Sequence, residues 1–238
     1  MTVGFVVPCF NEASRWDHVY WKTLVGRAGI EWLFVNDGST DSTERILRMH
    51  VSPEAGYLGL PHNQGKAEAV RQGLLTLADQ DLEWIGFLDA DAAFPAGEVL
   101  RFVDVAQDAP THLAGIWSSR VRLRGRDIQR SPGRHYVGRV IATALGMKLK
   151  TLPYDTQSGL KIFRNTPEFL EALSRPFLTR WLFDVELFMR LENRYEARDH
   201  WLWEEPLLAW HEVAGSRITL KETLRIQREL ARILLAKS

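Results

Sequence analysis

A chain of 238 residues with 45% hydrophobic and 25% charged residues has the length and composition of a globular protein with a sizeable core. Its formal net charge of zero argues against a general attraction to nucleic acid or to an anionic membrane. Cys9 is the only cysteine, which excludes an intrachain disulfide framework and fits a reducing, cytoplasmic compartment. No stretch approaches the ~18 apolar residues of a membrane span, so we expect contact with lipid to be peripheral at most, at the cytoplasmic face.

In the N-terminal half, patterns typical of strands and helices alternate. Compact apolar runs predict buried strands at residues 3–7, 32–35, 57–60 and 84–88. The spacing of apolar residues predicts a helix over residues 66–78, and Ser39 or Thr40 is placed to cap a helix that begins near Asp41. This alternation predicts an α/β fold with a mostly parallel central sheet flanked by helices.

The second half of the chain is less regular. Residues 112–123 alternate as in an antiparallel strand, and residues 161–163 predict another strand. Helices are predicted at residues 136–149, 183–191 and 220–235, and we expect the last of them to dock on the domain. Because we find no repeat, low-complexity segment or linker, we expect residues 1–238 to form a single domain.

Polar residues follow the predicted strands at the points where the strands end. They are Asn11, Glu12, Asp37, Asn63, Lys66, Asp89 and Asp91. Ligands of open parallel sheets bind at the carboxyl ends of the strands, so the convergence of these side chains predicts a binding site at that edge. The set is stronger evidence than any one member, since an aspartate such as Asp37 is also a common turn residue.

The phrase FLDADAAFP places two carboxylates, Asp89 and Asp91, directly after a buried strand. Hard divalent cations such as Mg²⁺ and Mn²⁺ prefer oxygen ligands and often share them with the diphosphate of a substrate. An Asp-x-Asp pair alone is weak evidence, because solvated acidic turns are common. Its position after an apolar strand, downstream of the other polar residues, predicts a metal-assisted diphosphate site.

Two further features favour an anionic ligand. Gly65 and Lys66 in LPHNQGKAEAV stand at a predicted helix start, where backbone N–H groups and a lysine suit an anion. The phrase lacks the spacing of a Walker A loop, which argues against an ordinary P-loop ATPase. Residues 115–150 carry nine cations and one anion, a net charge of +8, and form either an anion-binding surface or a solvated hairpin.

Together these phrases resemble the family 2 glycosyltransferases, which have the GT-A (Rossmann-like) fold. The order of VPCFNE, NDGSTD, NQGKAEAV and DADAAFP is similar to that family across residues 3–95. Further on, DTQSGLKIF (155–163), RWLFDVEL (180–187) and WHEVAGSR (210–217) look like the polyprenyl-phosphate branch, and most like dolichyl-phosphate β-glucosyltransferases. The resemblance implies a nucleotide-binding half at residues 1–95 and an acceptor-binding half with a C-terminal helix at residues 96–238.

The resemblance also implies a donor site and its cofactor. The side chains implied to bind the nucleotide are Pro8, Asn11, Glu12, Asp37, Lys66 and Asp89. Asp89 and Asp91 would hold Mg²⁺ or Mn²⁺. His211 could complete the metal site, because Ala93 stands where some relatives have a third ligand. A second departure is Ala67, where the family often has glycine.

The implied catalytic and phosphate-binding groups lie in the second half. Asp184 stands where many relatives keep the catalytic aspartate, and Asp155 and Glu186 are rival carboxylates. Arg134 would stabilise the leaving diphosphate. Phosphates of donor or acceptor would face Arg120, Arg134 and Arg217.

These roles predict an inverting, metal-dependent transferase that moves a sugar, expected to be glucose, from a UDP-sugar to a polyprenyl or dolichyl phosphate. The basic stretch and the helix at 136–149 would give a peripheral membrane contact. Two alternatives stay open: the same fold acting on a soluble acceptor, and a nucleotide-sugar-binding protein without turnover. A sugar nucleotidyltransferase is disfavoured, because VPCFNEASR has no glycine-rich phosphate loop. We predict no nucleic-acid partner, and the choice of UDP or GDP and the oligomeric state stay open.

Overall fold

A seven-stranded sheet forms the centre of the protein, whose computed structural model describes residues 2–129, 152–195, 200–213 and 228–231. Its strands are β1 (Val3–Cys9), β2 (Ile30–Asn36), β3 (Ala55–Gly59), β4 (Trp84–Leu88), β5 (Gly115–Ser119), β7 (Leu160–Arg164) and β8 (Leu202–Pro206). They lie in the order β3-β2-β1-β4-β7-β5-β8. Strands β1 to β4 pair in parallel, β7 runs antiparallel to β4 and β5, and β8 is parallel to β5. The predicted mostly parallel sheet is confirmed.

Helices cover both faces of this sheet, as the sequence predicts. They are α1 (His18–Leu24), α2 (Thr43–Arg48), α3 (Lys66–Ala78), α4 (Ala96–Gln107), α5 (Pro167–Leu173) and α6 (Phe183–Tyr195). Apolar residues of α1, α2 and α4 form one core cluster, and those of α3, α5 and α6 form the other. Strand β1 supplies both clusters, Phe5 and Val7 to the first and Val6 to the second, because neighbouring side chains of a strand point to opposite faces.

The agreement between predicted and observed elements is closest where an apolar pattern is strong. The predictions at residues 66–78 and 84–88 match α3 and β4 residue for residue. The alternating stretch 112–123 instead contains a five-residue strand, β5, that is buried on both faces, because Ile116 packs in one core cluster and Trp117 in the other. Helices α1, α4 and α5 were not predicted. None of the helices in the described part of the chain is long and apolar enough to cross a membrane.

Two short strands outside the central sheet complete the described fold. They are β6 (Asp127–Gln129) and β9 (Ala209–His211), which pair in parallel. The sequence predicts neither of these strands. The helix predicted at 136–149 lies outside the described residues.

Residues 228–231 contact the segment before α6. Residues 228–231 are helical, and Glu229 among them is buried. Its carboxylate accepts hydrogen bonds from the backbone N–H groups of Arg180 (3.1 Å), Trp181 (2.8 Å) and Leu182 (3.1 Å). The predicted docking of the C-terminal helix therefore holds for its four described residues.

We predict that Glu229→Ala lowers the free energy of unfolding by about 1–3 kcal/mol, because three N–H groups lose a buried acceptor. The control is Glu44→Ala, which removes an exposed carboxylate whose ion pair with Arg48 is solvated. We expect less than about 1 kcal/mol from that change. Urea denaturation of the variants measures both values, and equal losses would contradict a role for Glu229 in docking.

Candidate donor-binding and catalytic site

The polar residues predicted from the strand ends do lie along one edge of the sheet. Strands β1, β2 and β4 are parallel and end at Cys9, Asn36 and Leu88, so the residues after them meet at the same edge. Helix α3 begins at this edge with Lys66. The edge therefore carries the side chains that the sequence assigns to a nucleotide.

Asp37, after β2, organises the loop that leads into α3. Its carboxylate accepts hydrogen bonds from the N–H groups of Gln64 (2.7 Å) and Gly65 (2.8 Å) and from Asn63 Nδ2 (3.0 Å). Burial raises the pKa of Asp37, and the backbone hydrogen bonds oppose that change. The side chain assigned to a nucleotide base therefore also fixes the loop that presents Lys66.

Arg180 lies across this same loop, and its role was not predicted. One guanidinium nitrogen is 2.7 Å from Asn63 Oδ1. Gly65 has a left-handed backbone (φ +97°), and a Cβ there would collide with Nε of Arg180. The guanidinium thus rests on the glycine backbone beside Lys66. The phrase RWLFDVEL contains Arg180, but only the fold shows that it reaches residues more than a hundred positions earlier in the chain.

The end of β1 is tied to the loop after β2. Asn11, with φ +53°, accepts a hydrogen bond from the N–H of Thr40 (2.9 Å), and Glu12 N–H donates to Thr43 Oγ1 (2.8 Å). The Glu12 carboxylate is buried and forms a two-point ion pair with Arg15. Burial raises the pKa of Glu12, Arg15 opposes this, and Asp91 and Asp89 add to it. Glu12 therefore lies within electrostatic reach of the aspartate pair.

Pro8, the remaining residue assigned to the nucleotide pocket, lies in β1 opposite Val35 of β2. The pairing of β1 with β4 ends two residues earlier, at Val6. Pro8 therefore stands where β1 no longer needs an N–H donor for β4, which suits a residue that lacks one.

Asp89 and Asp91 lie in the turn after β4. Asp89 N–H donates to Gly159 O (2.9 Å), and its carboxylate Oδ1 is 2.5 Å from Lys66 Nζ. Asp91 accepts a hydrogen bond from Ala93 N–H (3.2 Å) across Ala92, whose φ of +57° is unusual for a residue with a Cβ. Burial raises the pKa of Asp91, and the neighbouring Asp89 adds to this.

This pair suits a divalent cation that it shares with a ligand. Both groups offer carboxylate oxygen, the donor type that Mg²⁺ and Mn²⁺ prefer. Within the residues that the structure describes, no third His, Cys, Asp or Glu joins them in a metal-binding group. Water and a bound phosphate oxygen are further ligands that magnesium sites often use.

The imidazole of His211 lies against another partner. The backbone N–H of His211 donates to Ala93 O (3.0 Å). Strand β9 therefore runs beside the turn that contains Asp89 and Asp91, which we call the aspartate turn. The ring Nε2 of His211, however, is 2.8 Å from Asp127 Oδ2 on β6. A metal ligand at His211 stays a prediction: with Nε2 on Asp127, the ring would have to bind the cation through Nδ1.

Asp184, at the start of α6, is buried against a lysine that the sequence did not single out. Its Oδ1 lies 2.5 Å from Nζ of Lys161, which is on β7 and has no exposed side-chain surface. Burial raises the pKa of Asp184, while Lys161 and then Lys66 oppose this. Lys66 therefore acts electrostatically on Asp184 and is also in contact with Asp89 in the aspartate turn.

The other candidate carboxylates already have several partners. Asp155 forms an ion pair with Arg120, at 2.7 Å from Nε and 2.8 Å from the terminal nitrogen. Glu186 accepts hydrogen bonds from the N–H groups of Leu178 and Thr179 and forms an ion pair with Arg190. The phosphate-binding role of Arg120 and the catalytic role of Asp155 stay predictions. Arg134 and Arg217 lie outside the described residues.

We predict that Gly65→Ala destabilises the protein by about 1–3 kcal/mol, because essentially only glycine adopts this backbone conformation (φ +97°, ψ 157°), and in addition displaces Arg180. Gly26→Ala is the matched control, because Gly26 also has a left-handed backbone (φ +84°) but a Cβ there would meet no atom within 4 Å. Thermal unfolding and donor binding should both be weakened more by Gly65→Ala. Equal effects of the two changes would show that the contact with Arg180 is unimportant.

Comparison with known proteins shows which family the chain is similar to. The family model for glycosyl transferase family 2 matches residues 5–170. The chain is 30% identical to a dolichyl-phosphate beta-glucosyltransferase of Drosophila melanogaster over 92% of this chain and 70% of that one. It is 26% identical to the Saccharomyces cerevisiae protein of the same name over 98% of this chain and 74% of that one.

Solved structures show the same fold at lower identity. A crystal structure of glucosyl-3-phosphoglycerate synthase from Mycobacterium tuberculosis, in complex with Mn²⁺, UDP-glucose and phosphoglyceric acid, aligns with a TM-score of 0.72 at 19% identity. The alignment covers 98% of this chain and 78% of that one. The fold, the order of the polar residues along the strand ends and the family match lead to one conclusion: the chain belongs to glycosyltransferase family 2 and is a glycosyltransferase.

Proposed function

We propose that this enzyme transfers glucose from UDP-glucose to a polyprenyl or dolichyl phosphate, with inversion at the anomeric carbon and with Mg²⁺ or Mn²⁺ as cofactor. One observation carries the proposal. Lys66 Nζ lies 2.5 Å from Asp89 Oδ1 and 6.0 Å from the ring centroid of Phe183, which precedes Asp184 at the start of α6. The turn that contains Asp89 and the start of the helix that carries the buried Asp184 therefore both lie near one ammonium group, which supports a diphosphate site there.

On this proposal the donor lies along the edge formed by residues 1–95. Asp37, Asn11 and Glu12 would face the nucleoside, and Lys66 the diphosphate. Asp89 and Asp91 would hold the cation, which would offset the negative charge on the departing nucleoside diphosphate. Arg180, on the glycine beside Lys66, is placed to add a second positive charge to the diphosphate.

The acceptor would approach from the side of residues 96–238, where Asp184 lies. An oxygen of the acceptor phosphate forms the new bond to the anomeric carbon while the bond from that carbon to UDP breaks, and UDP leaves with the electron pair. A phosphate acceptor is already an anion near neutral pH and needs little help from a base. Asp184 would therefore orient the acceptor or take the proton of a residual monoanion.

The names of relatives support the choice of substrates. The proteins from Drosophila melanogaster and Saccharomyces cerevisiae are dolichyl-phosphate beta-glucosyltransferases, and the structurally similar synthase was crystallised with Mn²⁺ and UDP-glucose. A lipid acceptor would place the enzyme at a membrane surface, which we propose to be the cytoplasmic face. Arg124 and Arg126, which are exposed in the basic stretch, would face anionic headgroups there.

We predict that UDP-glucose with Mn²⁺ raises the melting temperature, by an amount that corresponds to about 2.7 kcal/mol at a hundred times Kd. UDP-galactose, UDP-N-acetylglucosamine and GDP-mannose should give smaller shifts. Asp91→Asn should abolish most of the shift, whereas Asp81→Asn, an exposed carboxylate in the turn before β4 at the other end of that strand, should retain it. A shift that survives Asp91→Asn and the chelator EDTA would contradict the metal site.

We also predict that Asp184→Asn lowers kcat about 10²-fold, because the acceptor loses the carboxylate that orients it, while the melting shift with UDP-glucose and Mn²⁺ persists. The assay offers a detergent-solubilised polyprenyl phosphate, 3-phosphoglycerate and free sugars as acceptors, and NMR of the product reports the anomeric configuration. Asp104→Asn, exposed on α4 at the opposite face of the sheet, is the control. Preferred transfer to a soluble acceptor, or an α-linked product, would overturn the proposed reaction.

A further inference from the structure

An ammonium group is enclosed inside the protein beside the proposed site. Lys161 has no solvent-exposed side-chain surface, and its Nζ lies 2.5 Å from Asp184 Oδ1 and also donates to the backbone oxygen of Ser158. The rings of Phe87 and Trp117 flank it, with centroids 5.1 Å and 4.7 Å from Nζ. Burial of a lysine is costly unless its charge is paired, so Asp184 and Lys161 depend on each other.

The same lysine touches the backbone behind the aspartate turn. In the antiparallel pairing of β4 with β7, Lys161 lies opposite Phe87, two residues before Asp89. The next residue after Ser158, Gly159, receives the N–H of Asp89 at 2.9 Å and has no room for a Cβ, which would collide with the Asp89 carboxylate. Through its contacts with Asp184 and with the backbone of Ser158, the Lys161 ammonium group therefore links the start of α6 to the segment against which Asp89 packs.

Among the described residues, the charged groups that act on Asp184 include Lys161, Lys66 and Asp89, and Asp184 in turn acts on Arg120. Lys66 is in contact with Asp89, so Lys161 is the ammonium that holds Asp184 directly. Asp155 also acts on the charge of Lys161, but its carboxylate is paired with Arg120. We do not assign Lys161 a role as a reactive amine, because its side chain has no solvent-exposed surface at which it could meet a substrate.

We propose that Lys161 is a positioning residue, which fixes the Asp184 carboxylate against the segment that supports Asp89 and so sets the placement of acceptor-side and donor-side groups relative to each other. The inference rests on the proposed function, since it takes Asp184 to act on the acceptor. It assigns no contact between Lys161 and substrate. Lys161 acts only through Asp184 and Ser158.

The test uses Lys161→Met, Asp184→Asn and the double variant in the glucosyl-transfer assay. We expect Lys161→Met to lower kcat about 10²-fold with a change of less than about threefold in KM for UDP-glucose, because donor groups are untouched. The double variant should be no slower than Asp184→Asn alone, since residues that act as a unit are not additive. Ser118→Ala, which removes a buried hydroxyl bonded to Ser158 but not to Asp184, is the control and should keep kcat within about threefold.

A pH profile separates positioning from a purely structural role. Burial raises the pKa of Asp184 and Lys161 opposes it, so loss of Lys161 moves that pKa further up. The acidic limb of kcat should therefore shift to higher pH in Lys161→Met. Lys161→Gln, which keeps a hydrogen-bond donor and is the second variant should the methionine protein not fold, should recover part of kcat. An unshifted profile in a folded Lys161 variant, or effects of the two single changes that multiply in the double variant, would overturn the proposal.

Failure of the inference and failure of the proposed function give different results. If wild-type protein transfers glucose to 3-phosphoglycerate but not to polyprenyl phosphate, the proposed acceptor is wrong, and the same variants decide the role of Lys161 with the soluble acceptor. If Asp184→Asn keeps full turnover, the role of Asp184 and the positioning role of Lys161 are both overturned. If Asp184→Asn is inactive and Lys161→Met is fully active, only the inference about Lys161 falls.

Discussion

The ion pairs Asp89–Lys66 and Asp184–Lys161 hold the functional edge of this protein together. They come from four separate elements: the turn after β4, the start of α3, the start of α6 and β7. The Asp184 carboxylate alone would be unfavourable there, because its burial and the neighbouring negative charge of Asp89 both disfavour its ionisation. The two ammonium groups offset that cost, so the relative placement of β4, β7 and the two helices is tied to charge as well as to apolar packing.

Carboxylates at this edge also serve the backbone. Loops that leave a sheet lose the acceptors that neighbouring strands provide, and their buried N–H groups need others. Asp37 supplies them to residues 64–65, Glu186 to residues 178–179, and Glu229 to residues 180–182. An acidic residue near the site therefore need not take part in catalysis. Glu186 accepts several backbone hydrogen bonds, whereas Asp184 is paired with a lysine.

Much of the sheet edge that carries Asp37, Lys66 and Asp89 could be predicted from the sequence, because these residues stand directly beside strand and helix patterns in the chain. An apolar run predicts where β4 ends, and Asp89 and Asp91 follow directly. The partner of Asp184 could not be found in this way. A lysine in a strand is ordinarily exposed, and nothing near Lys161 in the chain reveals that it pairs with a carboxylate on a helix across the sheet. The net charge of residues 115–150 includes Arg120 as a positive charge without a partner. In the structure Arg120 forms an ion pair with Asp155, which lies outside that stretch.

The pairing of Lys66 with Asp89 has a consequence for how donor and cation would bind. A cation at Asp89 competes with the ammonium group for the same carboxylate, so cation alone gains little from that residue. A donor diphosphate gives Lys66 another anionic partner and leaves Asp89 to the cation. On the proposed function each ligand would remove a cost from the binding of the other, and this coupling would be reciprocal. The Lys66–Asp89 ion pair would then be exchanged for one pair between Lys66 and the diphosphate and one between Asp89 and the cation when nucleotide and cation bind together.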